Sequence, residues 1–176
     1  MEFEEGDGIK YFIPPVFDYE SCDVVTMGVG NNIEAELKIK ENYSQCEFFG
    51  VDPNEEISGI LYREFYRNKT IDILFINIEG FRILEYIVGN ANRLPPICQM
   101  NLELQFSEAY PFQVYEILKI FFKMVSGDRF LPLHADLVDS LLRIFIINIW
   151  DIKCRNTYLD YGMNSITDSQ TGIKIT

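Results

Sequence analysis

Positive charge, histidine and closely spaced cysteines are what this chain has least of. It carries 15 lysines and arginines against 27 aspartates and glutamates, a formal net charge of -12. Affinity for a nucleic acid or an anionic bilayer surface rests on clustered Lys and Arg, so neither is an expected partner. There is one histidine, His134, and the four cysteines (Cys22, Cys46, Cys98, Cys154) include no C-x-x-C pair. A zinc site therefore lacks a ligand set, and no metal is expected. Three of the cysteines flank or sit in apolar runs, which reads as buried, reduced thiols and not as a disulfide framework.

Long hydrophobic runs are missing too. The longest, residues 141–150, contains Arg143 and Asn148 and falls short of the ~20 residues needed to span a bilayer. The acidic opening, residues 1–7, has neither the basic nor the apolar region of a secretory signal, so the expected location is cytoplasmic. Two Asn-x-Ser/Thr triplets, at Asn42 and Asn68, matter only in a secretory compartment.

What is abundant is apolar surface. With 48% hydrophobic and 24% charged residues over 176 positions, the chain suits one domain with a sizeable core. Residues 23–29 are apolar and valine-rich. They are followed over 31–41 by helical spacing of Ile33, Leu37 and either Ala35 or Lys40. Residues 47–51 form a second strand ending at Asp52-Pro53, and Ile57, Ile60, Leu61 and Phe65 then recur at helical spacing. A third strand, 71–78, is apolar on both faces, as in the middle of a parallel sheet, and a helix over 81–88 follows. A fourth strand, 97–104, precedes an amphipathic helix at 111–125 with proline in its first turn and Gly127 placed as its C-cap. The runs "RFLPLHA" and "LLRIFIINIW" read as a terminal hairpin. Phe121, Phe122 and the "IFII" run are assigned to the core.

This alternation predicts an α/β fold: a Rossmann-like, mostly parallel sheet flanked by helices, with a C-terminal antiparallel hairpin. The expected organisation is a lead-in over 1–21, the domain over 22–150, and a polar, fraying tail over 151–176. In such sheets ligands sit beyond the carboxyl ends of the strands, at the point where strand order reverses. Gly28, Gly30, Asp52, Asn77 and Glu79 fall there. Gly28 and Gly30 permit a sharp turn and close backbone approach. Asp52 ends the second strand 22 positions after Gly30, where a carboxylate accepts from the hydroxyls of a ribose. Each also has a plain structural reading, as a strand-to-helix turn, a helix N-cap, or polar residues where a strand leaves the sheet. A third fingerprint glycine would fall at position 33, but Ile33 stands there, which disfavours NAD. His134, among apolar residues, reads as a hydrogen-bonded structural imidazole, and Glu103 fits ordinary strand alternation.

The segments "CDVVTMGVGNNIEAELKIKENYSQCEFFGVDP", "KTIDILFINIEGFRILEY" and "ICQMNLELQ" resemble the FkbM-type methyltransferases, particularly their divergent nematode branch, over roughly residues 22–150. The resemblance implies an S-adenosylmethionine-dependent enzyme of the Rossmann-like class that transfers a methyl group to an oxygen of a small molecule or glycan. It further implies that Gly28 and Gly30 lie under the methionine part of the cofactor and that Asp52 binds its ribose. "INIEG" matches the family's "IDIEG", which places Asn77 and Glu79 near the reacting methyl group as the catalytic candidates. Two departures stand out. Asn77 replaces an aspartate, and an amide is no carboxylate base. Only 18 residues, 53–70, separate Asp52 from Ile71, so the chain looks shortened by the strand-helix unit that borders the adenine in that family. The alternative reading is therefore a catalytically inactive binding or scaffold protein on the same sheet.

Overall fold

A strand that is apolar at every position cannot rest with one face in water, and the chain's unbroken runs of Val, Ile and Phe occupy the middle of a six-stranded sheet. The computed structural model describes residues 2–5, 8–16, 21–28, 33–51, 69–79, 82–90, 93–105, 111–127 and 129–159. In chain order these form β1 (Glu2–Glu5), β2 (Gly8–Tyr11), β3 (Cys22–Met27), α1 (Glu34–Asn42), β4 (Cys46–Val51), β5 (Ile71–Glu79), α2 (Arg82–Gly89), β6 (Ile97–Gln105), α3 (Pro111–Val125), β7 (Phe130–Val138), β8 (Leu141–Asn148) and α4 (Ile152–Tyr158).

The main sheet runs β4-β3-β5-β6-β8-β7. Its first four strands are parallel, and β8 and β7 close it antiparallel. The expected Rossmann-like class and the terminal hairpin are both observed. That hairpin turns through Asp139, whose φ of 54° is the left-handed conformation short polar residues tolerate. The helix read over residues 54–68 lies outside the described residues.

Each face of the sheet has its own cover. On one, Leu84 and Ile87 of α2 and Ile117, Ile120 and Met124 of α3 pack on Val25, Leu74, Ile76, Met100 and Leu102. On the other, Ala35 and Ile39 of α1, Tyr158 of α4 and Phe12 of the lead-in pack on Val24, Ile73 and Phe75. The lead-in is thus structured: β1 and β2 form an antiparallel hairpin, and residues 11–13 cross the sheet face. An extended segment there leaves its peptide groups without helical partners. Two amide side chains of β6 supply them. Asn101 accepts from the Tyr11 N–H at 2.8 Å and donates to the Tyr11 carbonyl at 2.9 Å. Gln99 does the same for Ile13, at 2.8 and 3.0 Å.

Several expectations change on this frame. Ile33 and Leu37 are exposed, and α1 buries Ala35, Glu36 and Ile39 instead. The reason is that a nine-residue helix beside a short strand packs through one narrow i, i+4 stripe. Phe121 is partly buried in the core, but Phe122 is 66% exposed, on the outer side of α3 with Tyr115 and Leu118. Gly127 follows α3 without left-handed backbone, so no glycine cap of that kind forms there. The polar stretch from Asp151 opens with a helix. Asp151 caps α4 by accepting from the N–H groups of Lys153 and Cys154, and Cys154 and Tyr158 are buried.

The cysteines are a further correction. They are not reduced thiols: Cys22 pairs with Cys46 and Cys98 with Cys154. Cys22 and Cys46 are register partners at the starts of neighbouring parallel strands, 4.4 Å apart at Cα. The second bridge ties α4 to β6. Sequence spacing hides both, because residues 24 and 56 positions apart meet only through the strand order. No helix among the described residues is long and apolar enough to cross a membrane.

At the amino-terminal end of β5, Asp72 is 2% exposed. Its carboxylate accepts from the Asp23 N–H at 2.9 Å and from the Tyr158 hydroxyl at 2.9 Å. Burial pushes its pKa above the ordinary carboxylate value of 3.8, against the lowering effect of those two hydrogen bonds and of the Lys153 charge. A raised folded-state pKa means the stabilising form is the protonated one. That contribution is full below the unfolded pKa and is lost as pH rises through the folded one. Asp72→Asn, fixed neutral, should therefore gain stability over the wild type as pH rises from 3 toward 7, which urea titrations across that range will read. Asn101→Leu strands the N–H and carbonyl of Tyr11 and should cost about 2 kcal/mol or more in the same assay.

Candidate functional site

The carboxyl-terminal rim of the sheet is stepped. Met27 is the last residue of β3 and pairs with Val51, the last of β4, on one side and with Ile76 on the other. β5 and β6 continue past that level as the pairs Asn77↔Glu103, Ile78↔Leu104 and Glu79↔Gln105. Three residues of strand amount to about 10 Å. The step coincides with the place where strand order reverses, since β3 connects to β4 on one flank and borders β5 on the other. The result is a notch with the end of β3 as its floor and the last residues of β5 as one wall.

Gly28 leaves β3 at this floor with a φ of 82°. Side-chain-bearing residues avoid that region and glycine enters it freely, so the turn predicted from sequence requires glycine here. Asn77 stands at the foot of the wall and is exposed. Glu79 is the last residue of β5, and its backbone pairs with Gln105. Gly30 and Asp52 lie outside the described residues, so of the five predicted positions the structure brings together Gly28, Asn77 and the backbone of Glu79.

Sequence reasoning overlooked one residue of this region. Glu36, in the first turn of α1, is 8% exposed and accepts a hydrogen bond from the Thr26 hydroxyl at 2.7 Å. Its second carboxylate oxygen is buried and has no hydrogen-bond partner among the described residues. A buried carboxylate oxygen without a partner is costly. The amino-terminal turn of a helix offsets part of that cost for a negative charge. Thr26 is the penultimate residue of β3, so this acid lies directly behind the glycine turn. An acid falling on the same helix face as Ala35 and Ile39 was the available signal.

Glu103 and His134, both considered from sequence, belong to a neighbouring polar network. Arg143 sits 3.5 Å from Glu103 and 3.9 Å from Asp136. His134 contacts the Tyr11 hydroxyl at 3.1 Å and stacks on its ring at 4.5 Å between centroids. The imidazole is partly exposed and also lies 3.9 Å from Asp136. Lys10 is buried with its ammonium 5.0 Å from the centre of the Phe75 ring, a cation–π contact on the face that carries Thr26 and Asn77. Two shallow concavities are formed by described residues, one of them lined by Glu103, the register partner of Asn77. That one is under β2 and beside Arg143, and the other is between Leu94, Pro95 and Phe130 at the opposite end of the sheet.

What the described residues offer chemically is a glycine turn at the rim, a buried carboxylate oxygen with no hydrogen-bond partner among them, and an exposed amide at the wall. No titratable base is described at the Asn77 position.

No family model matches the chain, and no curated protein does. Among solved structures, the chain is similar to ribosomal protein L11 methylase from Lactobacillus delbrueckii subsp. bulgaricus, with a TM-score of 0.43 and 12% identity over 73% of this chain and 70% of that one. It is also similar to an rRNA methylase from Escherichia coli, at 0.39 and 12% over 72% and 57%. A human methyltransferase 10 domain containing protein scores 0.39, at 11% over 74% and 73%.

Replacing Gly28 by alanine should cost roughly 1–2 kcal/mol through left-handed strain, with Gly28→Asn costing less. Gly89→Ala is the control, since a Cβ there meets nothing within 4 Å. Thermal unfolding of the three variants separates strain at the turn from a general intolerance of substitution.

Proposed function

We propose that the notch binds S-adenosylmethionine and that the domain is a methyltransferase of the FkbM type. The observation that carries this reading is the conjunction of a positive-φ glycine leaving the first parallel strand at the order reversal with a buried, half-satisfied carboxylate behind it. The residues present fit the cofactor. The Gly28 turn admits a ligand to the backbone, and Glu36 offers its free oxygen to the ammonium of the methionine part. Asp52, one position past the end of β4, is the acid for the ribose hydroxyls. When bound, the cofactor supplies an electrophilic methyl group on a sulfonium. The chain's task is then to hold an acceptor in line with it, which is a matter of positioning. Asn77 and Glu79 flank the position where that acceptor sits. Asn77 orients it through a hydrogen bond, and Glu79 is the carboxylate available to take its proton.

A small molecule or glycan is the acceptor class this reading favours. The net charge of -12 opposes a polyanionic substrate.

One observation favours a second reading, a binding or scaffold protein that has lost catalysis. Asn77 is an amide that neither donates charge nor accepts a proton at neutral pH.

Isothermal titration separates these. The enzyme reading predicts saturable heat with S-adenosylmethionine and none with NAD. The heat is lost in Asp52→Ala and weakened about tenfold or more in Glu36→Gln, as for a hydrogen bond to a charged group. Absence of heat with either ligand leaves the scaffold reading. If binding is present, Asn77→Asp should raise methyl transfer to any accepted acceptor, and an unchanged rate discards the carboxylate as the missing element.

A further inference from the structure

We propose that this chain matures in an oxidising compartment and carries an N-linked glycan on Asn42. The inference is independent of the cofactor reading, since it rests on the opposite end of the molecule. It replaces the cytoplasmic location expected from sequence.

The first observation is the state of the cysteines. All four are joined in two bridges, and each is buried. Cys22 and Cys46 lock the starts of β3 and β4, and Cys98 and Cys154 hold α4 against β6. Each bridge forms when two thiols give up two electrons and two protons to a disulfide-donating oxidant. Such bridges persist where the surroundings are oxidising and are rare where glutathione keeps thiols reduced.

The second observation is the triplet Asn42-Tyr43-Ser44, an acceptor sequence with a residue other than proline at its centre. A glycan is bulky and hydrophilic, so its site must be at the surface. Asn42 is the last residue of α1 and is exposed, as is Ser44. Between them Tyr43 is turned inward, its ring edge-on to Phe12 at 5.1 Å between centroids, and burial raises its pKa. The central residue thus anchors the turn while the two recognition residues face out. The Asn42 side-chain nitrogen donates to the Lys38 carbonyl at 2.7 Å. An amide nitrogen has two hydrogens. Replacing one with a sugar leaves the other to keep this bond.

The position is compatible with a working notch. α1 begins beside the glycine turn and ends next to Cys46, where β4 starts. A glycan on Asn42 therefore projects from the amino-terminal end of the sheet, away from Gly28 and Asn77. In the transfer step, the Asn42 side-chain nitrogen bonds to the anomeric carbon of a lipid-diphosphate-linked oligosaccharide. The bond from that carbon to the diphosphate oxygen breaks, and the amide gives up one proton.

The test is mass spectrometry of the full chain isolated from the cells that make it, denatured in N-ethylmaleimide and digested without reduction, with and without enzymatic glycan release. The expected result is no maleimide on any cysteine, linked Cys22/Cys46 and Cys98/Cys154 peptides, and an Asn42 peptide that appears only after release, bearing Asp at position 42. Maleimide on all four cysteines overturns the compartment. An unmodified Asn42 in a chain with intact bridges overturns the glycan. In the chain secreted from a eukaryotic host, Asn42→Gln and Ser44→Ala should each remove the same glycan-sized step in gel mobility. If either variant leaves that step in place, the assignment to Asn42 fails.

Discussion

Burial of β3, β5 and β6 on both faces is the constraint from which the rest of the molecule follows. A parallel sheet in this condition must be covered twice, and the chain lacks a full helical layer for one side among its described residues. It covers that side with two helices, α1 and α4, and with an extended lead-in. Extended backbone on an apolar sheet brings its own unsatisfied donors and acceptors, and Gln99 and Asn101 resolve this by presenting peptide-like amides to Tyr11 and Ile13. The lead-in then places Phe12 in the core and Tyr11 against His134 and Phe145, and its Val16 N–H reaches the Thr157 carbonyl of α4 at 2.8 Å. Two buried amides thus fix one edge of the cover, and α4 fixes the other.

The two ends of the sheet differ in how their polar groups are partnered. At the amino-terminal end, covalent and charged ties concentrate: both disulfides, the buried Asp72 with its bonds to the Asp23 backbone and Tyr158, and Lys69 3.5 Å from Asp23. At the carboxyl-terminal end the strands stop at unequal levels, and a glycine in a left-handed conformation follows the strand whose Thr26 donates to a carboxylate with one oxygen unpartnered among the described residues.

Much of this was legible in the residues. Period and run length located the elements from β3 to β8 within one to three positions at most ends, whereas β1, β2 and α4, which lie in the lead-in and the polar tail, have no comparable apolar run. Gly28 was legible too, since a glycine straight after a buried strand has few other uses. The side of α1 that packs inward was not. Ile33 and Leu37 are larger than Ala35, yet they stay exposed while Ala35 and Ile39 are buried and Glu36 turns in with them to accept from Thr26. Phe122 misled for the same reason, as periodicity identifies a stripe without saying how wide the partner surface is.

By itself, the sequence determined the class of fold, the order of the elements from β3 to β8 and the residue types available at the rim, because these depend on local periodicity and on which side chains tolerate each backbone conformation. Only the tertiary structure decided the pairing of the cysteines, the use of Gln99 and Asn101 as backbone mimics, the docking of α4 through Tyr158, and the step between β3 and β5 that makes a notch. Each of these joins residues far apart in the chain, and the distance between such residues is set by strand order and register, which no local pattern encodes.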